Sequence, residues 1–223
     1  MNRRKIQSYI CAFTLSLGLL MPLNAQDSDF GNWLIYFGNK KINSTWNLHH
    51  EIQHRNYNAI GDLEQLLLRT GLGYTFNEGK NNALLGYGYI HSENYIDLSE
   101  LTATVKEHRI FQQFTAVQSI GSLKLQHRYR IEQRFVERNF KQRFRYFLGV
   151  NVPLFVKEQQ AVYLSVYNEI FINTEASVFD RNRLYGGVGY KLNKNIRFEI
   201  GYMNQFFETS NRDQLNLITF VTF

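Results

Sequence analysis

Cysteine is almost absent. The single Cys11 among 223 residues excludes an intramolecular disulfide framework. Long hydrophobic runs are absent too. No apolar stretch approaches the ~20 residues of a spanning helix, and the mean hydropathy is −0.35, so a polytopic helical membrane protein is excluded. Neither sign of charge dominates, with 25 Lys and Arg against 19 Asp and Glu. Aromatic residues are what the chain has in quantity: 18 Phe, 14 Tyr and two Trp can bury far more surface than a disordered chain does.

Residues 1–25 read as a separate unit. Asn2-Arg3-Arg4-Lys5 is basic, Tyr9 to Leu23 is apolar, and Leu23-Asn24-Ala25 ends on the small residue that a signal peptidase requires. The pattern predicts a secretory signal peptide and Sec-type export. Tyr9 and Ile10 before Cys11 exclude a lipoprotein leader. Three basic residues belong to this leader, so the basic balance of the whole chain gives nucleic-acid binding little support, and no nucleic-acid partner is expected.

Beyond the leader the chain alternates. In Leu123 to Phe135, one phase reads Leu, Leu, His, Tyr, Ile, Gln, Phe, and the other Lys, Gln, Arg, Arg, Glu, Arg. Successive side chains of a strand point to opposite faces, so this is a strand with one apolar and one charged wall. Eleven such stretches run at about 31–38, 44–56, 64–76, 83–94, 107–119, 123–135, 140–152, 161–172, 182–192, 196–206 and 214–223. They are long for soluble strands, of which ~5–6 residues is typical, and match the ~9–11 of membrane-spanning ones. The fold class is all-β, a single antiparallel transmembrane β-barrel.

The charged phase carries Glu51, Arg55, Arg69, Arg109, Lys124, Arg128, Arg130, Glu132, Arg134, Arg143, Arg145, Glu169, Arg183, Lys191, Arg197 and Glu199. A transmembrane barrel turns such a wall inward and its apolar wall to lipid; a lipocalin-like soluble barrel does the reverse. Three features favour the membrane. The apolar wall spans about five positions per strand, close to the ~25 Å apolar band of such barrels. Aromatics gather near strand ends, among them Trp46, Tyr74, Phe135 and Phe206, where interfacial girdles belong. Leu215, Leu217, Thr219, Val221 and Phe223 alternate to the end, resembling the C-terminal strand signal read by the barrel assembly machinery. The expected place is the outer membrane of a Gram-negative bacterium, with its lipids as partners.

If both ends of the chain lie in the periplasm, the strand number is even. Counting back from Phe223 gives about ten strands (10–12) in a barrel over 44–223. Residues 26–43 then form an N-terminal segment with one extra strand, 31–38, that pairs at the closure or passes through the lumen. Outer loops are expected at 57–63, 95–106, 136–139, 173–181 and 207–213, and an inner turn at 154–160.

Several stretches resemble a domain-of-unknown-function family of outer-membrane β-barrels. They are His127 to Phe135, Arg143-Phe144-Arg145-Tyr146, Tyr167-Asn168-Glu169, Asn182 to Tyr190 and Gly201-Tyr202-Met203. The similarity covers Trp33 to Phe223 and implies fold and compartment; no activity comes with it.

The inward charges suggest what the lumen does. If Phe135 meets Phe140, Glu132 lies opposite Arg143 and Arg130 opposite Arg145, with Arg134 also flanking Glu132. In the hairpin through 57–63, closing at Asn56 and Glu64, Glu51 lies opposite Arg69. Arg–carboxylate pairs suit enclosed sites. The expected lumen network is Glu51, Arg69, Arg128, Arg130, Glu132, Arg134, Arg143, Arg145, Glu169, Arg183, Arg197 and Glu199, in a narrow or plugged barrel with a structural role. A second reading takes the basic excess as that of a small anion-preferring, porin-like pore or a barrel that binds an acidic ligand such as a lipid phosphate. A third is a barrel-wall lipid hydrolase or protease. The lipid-facing phase offers no Ser beside His50 or His127, and the rim groups His91, Glu93, Asp62 and Asp97 have no specifying pattern, so no catalytic residue is assigned. No cofactor or metal is expected: His49 and His50 point to opposite faces, and His50 and His54 stand ~13 Å apart at ~3.3 Å per residue. Gly86, Gly88, Gly186, Gly187 and Gly189 precede no helix and form no phosphate loop; they are expected to let the sheet bend and to leave room for Arg side chains.

Overall fold

The alternating stretches become strands in a computed structural model, which describes residues 30–58, 61–96, 101–158, 160–175 and 177–223; the expected leader lies outside the described residues. The strands are β1 (Gly31–Lys41), β2 (Trp46–Asn56), β3 (Leu63–Phe76), β4 (Asn81–Tyr95), β5 (Thr102–Ile120), β6 (Leu123–Val136), β7 (Asn139–Lys157), β8 (Gln160–Asn173), β9 (Phe179–Lys191), β10 (Ile196–Phe206) and β11 (Asn211–Thr222). Each pairs antiparallel with its sequence neighbour, and the sheet closes into one barrel. Register follows the hairpin expectation: Phe135 meets Phe140, Glu132 meets Arg143, Arg130 meets Arg145, and Glu51 meets Arg69.

The count is eleven, not ten, and it corrects the parity argument. β1 pairs with β11 in parallel, from Gly31 opposite Gln214 to Asn39 opposite Thr222. An odd number of antiparallel strands can close only in this way, because first and last then run in the same direction. Gly31 therefore starts at the rim opposite Phe223. The parity argument failed because it placed both ends of the chain at one rim. Of the two fates open to segment 31–38, it takes the closure. Its place was hard to read because both of its faces are apolar: Trp33 and Ile35 are buried inward, while Leu34 is exposed outward.

Two rims result. The turn end carries 42–45, 77–80, 121–122, Glu158, 192–195 and Phe223; the loop end carries 57–58, 61–62, Ile96, Leu101, 137–138, 174–175, 177–178 and 207–210. The connections expected at 95–106 and 173–181 are shorter, because β5 begins at Thr102 and β9 at Phe179. β7 likewise continues to Lys157, with a register shift between Pro153 and Phe155. Proline has no N–H to give the ladder, so the strand bulges there rather than ending.

The outer wall is apolar. Ile52, Leu68, Leu72, Leu85, Ile110, Val188 and Ile200 are exposed. Aromatic rings touch in sequence across strands of the outer wall, from the turn end at Trp46 to mid-strand at Tyr146: Trp46 with Tyr74, Tyr74 with Phe76, Phe76 with Phe114, Phe114 with Tyr129 and Tyr129 with Tyr146. The glycine expectation needs correcting as well. A Cβ at Gly86 would stand 2.3 Å from the Phe111 ring, one at Gly189 2.1 Å from Tyr163, and one at Gly187 2.4 Å from the Tyr185 hydroxyl. Gly88 makes way for Arg69 at 3.1 Å, and Gly186 faces open space. The inward glycines chiefly make room for aromatic rings.

Candidate functional site in the barrel lumen

Glu132 on β6 has no exposed surface. It accepts hydrogen bonds from Arg143 at 2.7 and 3.1 Å and from Arg145 at 2.7 Å. Arg130 and Arg109 stand 3.6 and 3.9 Å away. Arg145 also donates to Glu169 at 2.7 and 3.1 Å, and Arg128 reaches the same carboxylate at 2.8 Å. One chain of charge-assisted bonds thus runs across β6, β7 and β8. Such bonds are shorter and stronger than neutral ones, and in a confined low-dielectric space each fixes its partner's orientation.

Around this centre, Arg69 donates to Glu51 at 2.6 Å. Arg134 does not flank Glu132 as expected: it turns to Glu107 on β5, at 2.6 and 2.9 Å, where it joins Arg109. Arg183 donates to Gln205 at 2.8 Å. Glu199 takes the Tyr163 hydroxyl at 2.8 Å, and Arg197 lies over the Phe220 ring at 3.7 Å. The ends of β1 and β11 are tied by Phe223 N–H to Asn39 O at 2.9 Å.

Three participants escaped the sequence reading. Glu107 has the parity of Arg109 and was legible, but it sat at the edge of its stretch. Asp180, which accepts from Arg143 at 2.6 Å, fell in an expected loop. The aromatic residues of the inward phase were hidden by being apolar. Phe171 is buried with four guanidiniums, those of Arg143, Arg145, Arg181 and Arg183, 4.3–5.9 Å from its ring centroid. Trp33 carries Arg55 at 3.6 Å and Arg183 at 4.8 Å. Rings in this position attract the cations through their quadrupole while keeping them apart. Trp33, Ile35, Tyr185, Met203 and Ile218 form a buried apolar cluster beside the parallel seam, so the lumen has an apolar sector as well as a charged one.

Two spaces adjoin the lattice, and Arg55, Arg69, Arg145 and Arg183 line both. Toward the turn end lies a vestibule of about 810 Å³, with Lys41, Lys80, Lys124, Arg128 and Arg197 among its walls. Toward the loop end lies a cavity of about 70 Å³ lined by Arg55, Arg69, Arg109, Arg134, Arg143, Arg145, Arg181, Arg183, Gln65 and Phe171.

His49 stands in the lumen, 3.5 Å from Glu51; other histidines lie outside the lattice. His50 lies against Tyr36 and Phe223, and His127 meets the Tyr146 hydroxyl at 2.9 Å. His91 and Glu93 do approach, at 3.4 Å, while Asp62 takes the Tyr95 hydroxyl at 2.7 Å; Asp97 lies outside the described residues. Among the described residues, no three His, Cys, Asp or Glu side chains group as a metal site.

Residues 30–216 match the family described as "Protein of unknown function (DUF2490)". An uncharacterised protein of Methylorubrum extorquens is 30% identical over 168 residues, covering 70% of this chain and 69% of its own. Among solved structures, LpxR from Salmonella typhimurium superposes with a TM-score of 0.51 at 11% identity, over 92% of both chains. That likeness is one of fold.

Proposed function

We propose that this chain, which belongs to the DUF2490 family, is an outer-membrane β-barrel of a Gram-negative bacterium whose lumen is closed by its Arg–Glu lattice, so that it spans the membrane without conducting. Support for the compartment comes from the exposed apolar wall and aromatic belt, which a water-soluble barrel would have to hide. Sec export of the precursor and recognition of the Phe223 strand by the barrel assembly machinery belong to the same proposal.

One observation carries the closed lumen. Each strand sends at least one buried side chain inward: Trp33, Glu51, Arg69, Ile90, Phe111, Glu132, Arg145, Phe171, Tyr185, Met203 and Asn216, in strand order. A barrel of eight strands is just filled by its side chains, and here long Arg and aromatic side chains fill the extra width. The test is planar-bilayer recording on refolded protein. The proposal expects no steady channel steps; a stable ohmic conductance with anion preference would replace it with a pore.

A further inference from the structure

The loop-end cavity presents eight guanidiniums, an amide and a phenyl ring, and among the described residues no carboxylate lines it. The carboxylates bound to those arginines stand behind the wall and number five: Glu51, Glu107, Glu132, Glu169 and Asp180. Two of these are shared further, Glu132 with Arg130 and Glu169 with Arg128. The wall therefore carries uncompensated positive charge. It is sharpest at two residues. Arg55 is buried and, among the described residues, donates only to amide oxygens, Gln53 at 2.5 and 3.1 Å and Gln65 at 2.7 Å; the Glu64 carboxylate near it is bonded to Arg212 instead, at 2.7 Å. Arg183 is buried, bonds to Gln205, and stands 4.0 Å from Glu169. In addition, the Nε of Arg69, whose side chain is 4% exposed, has no hydrogen-bond partner among the described residues.

Burying a charge without a counter-charge is expensive, and water filling the cavity would solvate these cations without neutralising them. An anion does both. Guanidinium forks match the paired oxygens of an oxyanion. One water needs about 10–15 Å³ of cavity space, so a cavity of about 70 Å³ holds a few water-sized groups and suits a compact tetrahedral anion. Among the lining arginines, Arg134 and Arg181 have side chains 18% and 26% exposed, which puts the approach on the loop side. We infer that this cavity is a phosphate site, holding either inorganic phosphate or the terminal phosphate monoester of a headgroup whose remainder stays at the loop end, with Arg55 and Arg183 as its principal binding residues.

The test uses the full mature barrel, refolded in zwitterionic detergent, with thermal unfolding and calorimetric titration as readouts. Inorganic phosphate is compared with chloride at equal ionic strength. Phosphatidic acid mixed into the detergent is compared with phosphatidylcholine. A ligand that binds only the folded state raises the unfolding midpoint in a saturable way. The site predicts such a rise with phosphate but not chloride, one site per barrel, and a tenfold or larger loss of affinity in Arg55→Gln and Arg183→Gln. Without phosphate those variants should match or exceed the parent in stability, because each removes a poorly compensated buried charge. Arg197→Gln, on the vestibule side, should keep the response. Stabilisation by phosphatidic acid, with inorganic phosphate competing, assigns a headgroup; stabilisation by inorganic phosphate alone assigns the free ion. Parent protein that responds to neither, or to phosphate and chloride alike, overturns the site even if the variants do not fold. Unchanged affinity in both Gln variants overturns it as well.

Discussion

Arg134 shows how far a single residue can be read from alternation. Period two places Arg130, Glu132 and Arg134 on one wall of β6, and all three are there. Which carboxylate a long guanidinium reaches depends on the neighbouring strand. Arg109 of β5 pairs directly with Arg134, and Glu107, two residues before it on the same wall, draws Arg134 away from Glu132. The pairing of Glu132 with Arg143 and Arg145 was legible because one tight hairpin joins the two strands. A substitution series separates these roles. Glu132→Gln should lower stability by about 3–5 kcal/mol, the usual penalty for leaving one side of a buried pair uncompensated. Adding Arg143→Gln should recover part of that loss. Adding Arg134→Gln should recover none and deepen it, since Glu107 then loses a partner. Denaturant unfolding in detergent, followed by tryptophan fluorescence, measures all three.

At the scale of strands, legibility followed the contrast between the two faces. β6 and β7 contrast strongly and were assigned with the observed phase and register. β1 has apolar side chains on both faces, because its inner face packs in the apolar sector of the lumen, and periodicity cannot show such a strand as part of a barrel. Glycines were located in the sequence, but their neighbours were not, since those lie on adjacent strands. Here the structure makes a paired prediction. Gly86→Ala and Gly189→Ala push a methyl group into the Phe111 and Tyr163 rings and should destabilise by about 1–3 kcal/mol, as overpacking does. Gly186→Ala, with nothing within 4 Å of its Cβ, should fall within about 0.5 kcal/mol of the parent, the ordinary range for an uncrowded surface position. Equal effects at all three positions would show that the inward phase of β4 and β9 is wrong.

For the molecule as a whole, an odd strand count separates the two ends of the barrel sequence. With the loop end outward, a cysteine at Phe30 should react in intact cells with a membrane-impermeant maleimide, as should one at Ser210, while one at Asn193 should react only after the outer membrane is opened. Labelling of Phe30 and Asn193 on the same side would restore an even-stranded barrel. The parallel seam has a kinetic consequence too. Antiparallel neighbours are brought together by short connections, whereas β1 meets β11 only after the whole intervening chain has been laid down. Closing a flexible loop of that length costs roughly 4–5 kcal/mol in the logarithmic chain-entropy term, and no turn reduces it. The Arg–Glu contacts of β5 to β8 join neighbouring strands or, for Arg128 and Glu169, strands two apart, so they can form in a curled sheet that is still open. They would hold the curvature while the edges search for one another. The ion pairs then act as scaffolding for assembly, and the seam is the last joint to set.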